Sequence, residues 1–570
     1  MEARRQEIVE IFSTYGALVE PALLTSLAAA DDGAVRAQAI LTQLKEVPFH
    51  FDAVMWRELE EQHREQLTPD APHAATEADL ARKEAFRKTA AAIYDGQGKH
   101  KDVDAEDDED DHEDTLQLDE SSLEDAAQRA KTFKVKPRSD WQPLAAQHEG
   151  QLEVVEDMTG NSTCEGSTSD FVTYFQDRYQ KIAKMLKQRR ELRSAIEVER
   201  IRPGQQEVQL IGMVVEVAST KNGHKRIEIE DPTGSVTCLV NKSENQLLEF
   251  SNSLVNDEVI GVVGQASNKG DLIFLSSIMR PDVPRPDHSK PRGAEVPVMA
   301  AFLSDIHVGS NTFLSENWEK MLSWVNGGGQ TKRERDVAGR IKYLVLPGDL
   351  VDGVGIYPGQ NEELTITDVY DQYGAFGDWM QNLPDHLQVV VQPGNHDVSR
   401  PAEPQPAFTK EVQDRFNHQD TKFVANPARF NMHGVSTLGY HGSSLIDFAT
   451  SVTHLEYEEP LPAMKQMLQS RHLAPLYGER TPVAPEHNDY LVIDEIPDLF
   501  VTGHVHVPGI ETYRGVNMIN CGTWQSQTLY QKMLNFTPDP AKMPVVDLQT
   551  LRGTLVSFQD PVSAGTAHTA

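Results

Sequence analysis

The chain has 570 residues, a formal net charge of −34 and 25% charged residues, a length that calls for several domains. No run approaches the roughly 20 consecutive apolar residues of a membrane span. Cys164, Cys238 and Cys521 are too few and too far apart for a disulfide framework or a cysteine zinc site. So acidic a balance argues against a surface that grips nucleic acid by charge alone.

The opening residues, "MEARRQEIVEIFSTYGALVE", hold no apolar core followed by a small-residue cleavage site, so the expectation is a cytoplasmic protein with no membrane partner. Residues 101–125 hold fourteen Asp/Glu and one Lys, which puts −13 of the charge in one stretch and leaves −21 for the rest. A salt-rich, halophilic cytoplasm accounts for such a surface, because the Debye length falls to about 3 Å at 1 M.

Residues 1–65 are predicted to form a small helical N-terminal module. Ile8, Ile11, Phe12, Tyr15, Leu18 and Val19 recur at helical spacing. An amphipathic arm packed on the rest of the chain reads the pattern equally well. Residues 66–165 are acidic, poor in aromatics and expected to be a disordered linker. Residues 166–200 predict one long helix, capped at Ser169 or Asp170 and basic around Lys187, Arg189, Arg190 and Arg193.

Residues 206–282 switch to strand patterning. "EVQLIGMVVEVAST" and "HKRIEIEDPTGSVTCLV" flank Asn222-Gly223, a hairpin signal, and two further apolar runs follow. Five short strands suit a β-barrel of the OB fold, used either to bind single strands or to pack on a partner. Residues 283–295 read as a Pro-rich linker. Residues 296–560 repeat apolar strand, polar loop and helix, the pattern of a layered α/β domain with its site at strand ends.

Four of those strand ends carry ligand-type side chains. "VPVMAAFLSDIH" ends at Asp305 and His307, and "IKYLVLPGDLVDG" at Asp349 and Asp352. "HLQVVVQPGNHD" ends at Asn395, His396 and Asp397, and "DLFVTGHVH" at His504 and His506. One D-x-H decides little. D-x-H, G-D-x-x-D, G-N-H-D and G-H-x-H in that order are specific. Two divalent ions a few ångströms apart need a bridging carboxylate together with N and O ligands. The glycines before the ligands are expected to let the backbone turn off the sheet, and Asp397 to orient the His396 ring.

This order of motifs resembles the calcineurin-like metallophosphoesterase superfamily over about residues 296–525. The resemblance implies a layered β-sandwich flanked by helices, with Asp305, His307 and His506 on one metal, Asp349 bridging, and Asn395 and His504 on the other. It makes His396 the general acid, with Asp397 beside it in the catalytic group. It also calls for one more histidine before "GHVH". His441 and His472 are the candidates, and His472, later in the interval, is the expected ligand. "GYHGSSLIDF", "RHLAPLYG" and the barrel in front are further similar to the small subunits of replicative DNA polymerases, above all those of the archaeal family D enzymes. That likeness implies a 3′→5′ proofreading exonuclease using two divalent ions, Mn²⁺ or else Mg²⁺, with DNA as substrate and a large catalytic polymerase subunit as heterodimer partner.

Two other readings compete. The eukaryotic relatives serve as catalytically silent scaffolds, against which the full ligand set argues. A phosphatase of the same superfamily needs neither barrel nor extension. Lys221, Lys225, Arg226 and Arg400 are candidate phosphate contacts, although each is read as readily as ordinary surface charge.

Overall fold

The protein is described by a computed structural model. It describes residues 128–286, 292–357, 359–416, 418 and 420–559, with scattered positions between 8 and 56. The chain divides into two compact units, Met1–Thr115 with Tyr357–Gly359, and Leu116–Ile356 with Gln360–Ala570. In the first, Ile8, Phe12, Leu23, Leu27, Ile40, Leu41 and Trp56 are buried, and the Phe12 and Trp56 rings lie 5.4 Å apart. The sequence reading of residues 57–127 falls outside the described residues.

Within the second unit, β1 (Leu152–Glu156) comes first. The long helix α1 follows (Thr168–Leu186), capped by Ser167, whose hydroxyl accepts from the Asp170 N–H in a reciprocal capping box. The cap is therefore earlier than expected, and the helix also ends sooner. Its apolar side, Ile182 and Leu186, packs with Leu192 on Ile211, Met213 and Val259 of the barrel and on Val492.

The barrel contains β2 (Val208–Ser219), β3 (Lys225–Asp231), β4 (Gly234–Val240), β5 (Val259–Ala266) and β6 (Leu272–Met279), closed in the order β2-β3-β4-β6-β5. Helix α2 (Asn245–Ser251) sits between β4 and β5. Alternation along the strands turns Val208, Leu210, Ile227, Ile229, Cys238, Ile260 and Val262 inward to form its core.

The remaining chain builds two six-stranded sheets. The first contains β7 (Met299–Phe302), β8 (Ile341–Pro347), β9 (Gln388–Gln392) and β10 (Thr421–Phe423), all parallel. β16 (Lys542–Asp547) and β17 (Arg552–Ser557) extend it antiparallel beyond β7. The second contains β11 (Ala428–Met432), β12 (Val435–Gly439), β13 (Leu499–Thr502), β14 (Gly509–Tyr513) and β15 (Val516–Asn520), with β1 added at its edge beside β11. β12 and β13 pair parallel.

Phe302, Tyr343, Val345 and Val390 of the first sheet meet Phe430, Met432, Leu499, Val501 and Ile519 of the second to form the central core. Helices α3 (Ser315–Ser323) and α4 (Val369–Met380) cover the outer face of the first sheet, where Trp318, Phe376 and Trp379 are buried. Helices α5 (Leu445–Ser451) and α6 (Pro460–Ser470) cover the second through Phe448, Met464 and Met467. The result is a helix–sheet–sheet–helix sandwich. Its inner strands read as continuous apolar runs because both of their faces are buried.

One boundary is corrected. Residues 128–165, assigned to the disordered linker, are ordered. Glu153, Val154 and Glu156 of β1 pair with β11, and Arg129 donates to Glu319 at 2.6 Å. The alternation here is weak because β1 is an edge strand, with its three central residues exposed. It therefore lacks the apolar signature that marks an inner strand.

Candidate metal centre

The two sheets place the C-terminal ends of β7, β8, β9, β12 and β13 together. Asp305 and His307 follow β7, Asp349 follows β8, and Asn395 and His396 follow β9. His441 follows β12, and His504 and His506 follow β13. Five of these residues take left-handed backbone conformations: Asp305 (φ 52°), His307 (φ 54°), Asp349 (φ 52°), His504 (φ 67°) and His506 (φ 58°). Each costs about 1–2 kcal/mol for an L residue. Such concentrated strain is characteristic of a site the surrounding fold holds in place.

The glycines act differently from expectation at two of the three loops. Gly348 has φ +98° and serves as a turn. At Gly394 the constraint is space: a Cβ would lie 2.2 Å from Asp349 Oδ1. At Gly503 one would lie 2.5 Å from Asp305 Oδ2.

The donor atoms form overlapping groups. Asp305, His307 and His506 each bring one atom within 4.8 Å of the others, as do His307, Asp349 and His396, and also Asp349, His441 and His504. His506 Nε2 is 3.3 Å from Asp305 Oδ1 and 3.2 Å from His307 Nε2. His441 Nε2 is 3.3 Å from Asp349 Oδ2 and 2.9 Å from Asn395 Oδ1. Ligands at about 2.0–2.2 Å from one cation necessarily stand roughly 3–4 Å apart. Asp305 Oδ1 is buried without a formed hydrogen bond, which is costly unless a cation takes it. These residues therefore fit two divalent ions sharing Asp349.

Surrounding groups fix the rings. His441 Nδ1–H donates to the Pro347 carbonyl at 2.8 Å, which turns Nε2 to the cluster. His307 Nδ1 lies 3.1 Å from Asp352 Oδ1, and that carboxylate accepts from Gln360 and Gln525 at 2.8 and 3.0 Å. The Gln531 amide meets His506 Nδ1 at 2.9 Å.

Charge balance points the same way. Burial opposes the charged His441 ring, but the Asp349 carboxylate beside it prevails and carries it up to about 10. Burial, with the charge of His441 added, takes His504 down to about 3. Burial opposes ionised Asp349, and His441, His396 and His307 together hold it well below the usual carboxylate range. The pocket thus favours added positive charge beside Asp349.

Two expectations are corrected. His472 stands outside the cluster: Arg471 ends α6 in a left-handed conformation (φ 58°), and His472 Nε2 meets the Asp489 carboxylate at 2.9 Å. His441 takes the place expected of it. The signal was present in the sequence, since "VSTLGYH" is an apolar strand followed by a histidine, as at every other ligand, whereas His472 follows a helix.

Asp397 does not orient His396. Its carboxylate accepts from Tyr373 OH at 2.8 Å and Gly394 N–H at 2.9 Å, and burial, then the charge of Asp349, push it up to about 7. The His396 ring is held instead through Nδ1–H, which donates to the Asp352 carbonyl at 2.7 Å.

Of the candidate phosphate contacts, Arg226 is ion-paired with Glu216 and Glu228, and Arg400 pairs with Glu486 at 2.8 Å. Lys221 is exposed in the β2–β3 turn and Lys225 begins β3. Among the described residues no helix is long and apolar enough to cross a membrane.

Comparison with known proteins places this geometry. Residues 300–509 match the family model of the DNA polymerase alpha/epsilon B-type subunits. The DNA polymerase II small subunit of Methanothermobacter thermautotrophicus is 41% identical over 405 residues, 71% of this chain and 83% of the relative. That of Methanocaldococcus jannaschii is 39% identical over 434 residues, 74% of this chain and 72% of the relative. That of Halobacterium salinarum is 39% identical over 424 residues, 74% and 81%. The chain belongs to the family of archaeal DNA polymerase II (family D) small subunits.

Proposed function

We propose that this small subunit is the 3′→5′ exonuclease of its polymerase complex, a nuclease of the calcineurin-like metallophosphoesterase class fronted by an OB-type barrel. The observation that carries the reading is the overlapping donor set around Asp349, with an orphaned carboxylate oxygen on Asp305. Two divalent cations, Mn²⁺ or Mg²⁺, would supply Lewis-acid polarisation of the scissile phosphate and a nucleophilic hydroxide at neutral pH. Asp305, His307 and His506 would hold one. Asn395, His441 and His504 would hold the other, and Asp349 would bridge.

His396 contributes the proton. Its Nδ1–H is engaged by the Asp352 carbonyl, so the imidazolium gives its Nε2 proton to the departing 3′ oxygen of the shortened strand. The left-handed ligand loops hold their side chains before substrate arrives, so little reorganisation is needed at the moment of reaction. A large catalytic subunit is the partner that the relatives' name implies. Lys221 and Lys225 are better placed than Arg226 and Arg400 to meet DNA phosphates, since carboxylates of this chain already take both arginines.

The test is Mn²⁺-dependent shortening of 5′-labelled single-stranded and mismatched primers by the purified chain, alone and with its large subunit, beside His396→Ala. Shortening that His396→Ala abolishes is the expected result. No metal-dependent shortening in either setting would favour a scaffold. Cleavage of an aryl phosphate without action on DNA would favour a phosphatase.

A further inference from the structure

The rings of His396, His307 and His506 stand in a row, with centroids 4.7 and 5.1 Å apart. Each end of the row carries exposed apolar side chains. At the His506 end is a short helix, α7 (Leu529–Met533), capped by Thr528. Its Gln531 meets His506 Nδ1, and its Leu529 N–H donates to Glu363 at 3.2 Å. Leu529, Tyr530, Met533 and Leu534 are 61%, 44%, 58% and 52% exposed. At the His396 end are Val354 and Ile356, 43% and 40% exposed. Ile356 reaches back to Gly353, where a Cβ would lie 2.9 Å from Ile356 Cγ1 and 2.5 Å from the His396 carbonyl oxygen.

Large apolar side chains crowded at the rim of a polar, recessed centre are an unusual expense for a surface of this charge. Asp305, Asp349 and His307 themselves are 0%, 1% and 2% exposed. A paired terminus, stacked and about as wide as a duplex, cannot bring its last phosphodiester down to them. A strand whose final bases are unpaired can, provided something receives those bases as they leave the stack.

Resting on the nuclease reading above, we propose that α7 and the Val354–Ile356 segment are the two lips of a base-receiving cleft, which makes the centre specific for unpaired 3′-terminal nucleotides. Leu529 and Tyr530 take the terminal base, and Val354 and Ile356 take the neighbouring one. The acidity of the chain supports this division of labour. With a net charge of −34, phosphate contacts contribute little grip, and salt weakens them further. Stacking and apolar contact with bases survive salt and tolerate any sequence, as an editing site requires.

The experiment compares the wild-type chain in its complex with Leu529→Ser/Tyr530→Ser. Three readouts are taken: Mn²⁺-dependent shortening of single-stranded, 3′-mismatched and fully paired primers; hydrolysis of bis(p-nitrophenyl) phosphate; and fluorescence of a 3′-terminal 2-aminopurine on binding without divalent metal. The wild type is expected to prefer unpaired ends and to quench the 2-aminopurine. The variant is expected to lose shortening of unpaired ends by about tenfold or more, the scale of one lost base contact. Its loss on the aryl phosphodiester should be several-fold smaller, its preference for mismatched over paired ends reduced and its quenching gone. Wild-type shortening and quenching in the variant would overturn the lips while leaving the nuclease intact. Equal loss on DNA and on the aryl phosphodiester would also overturn them, assigning α7 to support of His506. A wild type that cuts the aryl phosphodiester and no DNA would remove both readings together.

Discussion

His441 Nε2 lies 2.9 Å from Asn395 Oδ1 and within reach of Asp349, although 46 residues separate His441 from Asn395 and the two follow strands of different sheets. The contact joins the two sheets at the centre. His441→Ala is expected to reduce bound Mn²⁺ from two ions per chain to one, measured by titration calorimetry. DNA shortening should fall by more than the roughly 10–100-fold typical of an outer-shell partner. His472→Gln should retain both ions. Full metal stoichiometry in His441→Ala would reassign the site.

A second buried relationship is structural. Arg178 and Asp489 are both fully buried and meet at 2.9 Å. Arg178 also donates to the Pro475 carbonyl at 2.7 Å and to Tyr174 OH at 2.9 Å, fastening α1 to the sandwich. Arg178→Met leaves Asp489 buried with only His472 for company. A loss of about 3–5 kcal/mol is expected in denaturant unfolding. A loss below about 1 kcal/mol would mean that water reaches the pair.

His472 gives this network a pH dependence. Burial, then the charge of Arg178, lower His472 to about 4, below the ordinary value near 6.5. Between those values the unfolded chain binds a proton that the folded one refuses, so stability rises with pH across the window and is lost as pH falls from about 6.5 to about 4. The unfolding midpoint should decline over that range. His472→Gln, which cannot titrate, should decline less, so the gap between the two narrows toward pH 4. Parallel curves would show that His472 is not the group responsible.

Gly394 makes a steric prediction. An added methyl would sit 2.2 Å from Asp349 Oδ1 and 2.8 Å from His441 Cε1. Gly394→Ala is therefore expected to displace the shared carboxylate and lower activity on the order of 10²-fold, as a misplacement of about 1 Å does elsewhere. Bound Mn²⁺ should fall with it. Unaltered Mn²⁺ binding would mean that the loop yields without moving Asp349.

The charge of −34 predicts salt dependence. Screening shortens from about 10 Å at 0.1 M to about 3 Å at 1 M, so thermal unfolding should move upward as KCl is raised to molar levels. An unchanged midpoint would argue against adaptation to a salt-rich cell.

Much of the centre was legible without coordinates. Asp305, His307, Asp349, Asn395, His396, His504 and His506 each follow an apolar strand, and the structure brings all of them together. The five-stranded barrel was equally plain, because Asn222-Gly223 and alternating apolar residues mark strands and turns locally. The choice between His441 and His472 was not plain. Both lie in the right interval, and only the parallel pairing of β12 with β13 carries His441 to the site. The role of Asp397 and the early end of the linker were hidden for a related reason. Asp397 serves backbone N–H and a tyrosine brought from α4, and β1 is an edge strand whose partner β11 lies far along the chain.

The sequence by itself determined which elements form and what chemistry their ends carry, because periodicity, turn residues and ligand-type side chains are local properties. The tertiary structure alone decided which histidine completes the second cage, which glycines are needed for space rather than for turning, and that apolar lips flank the row of imidazoles. Those outcomes depend on how two sheets align their strand ends across long sequence separations. That alignment is fixed by the packing of the whole sandwich and has no signature in any single stretch.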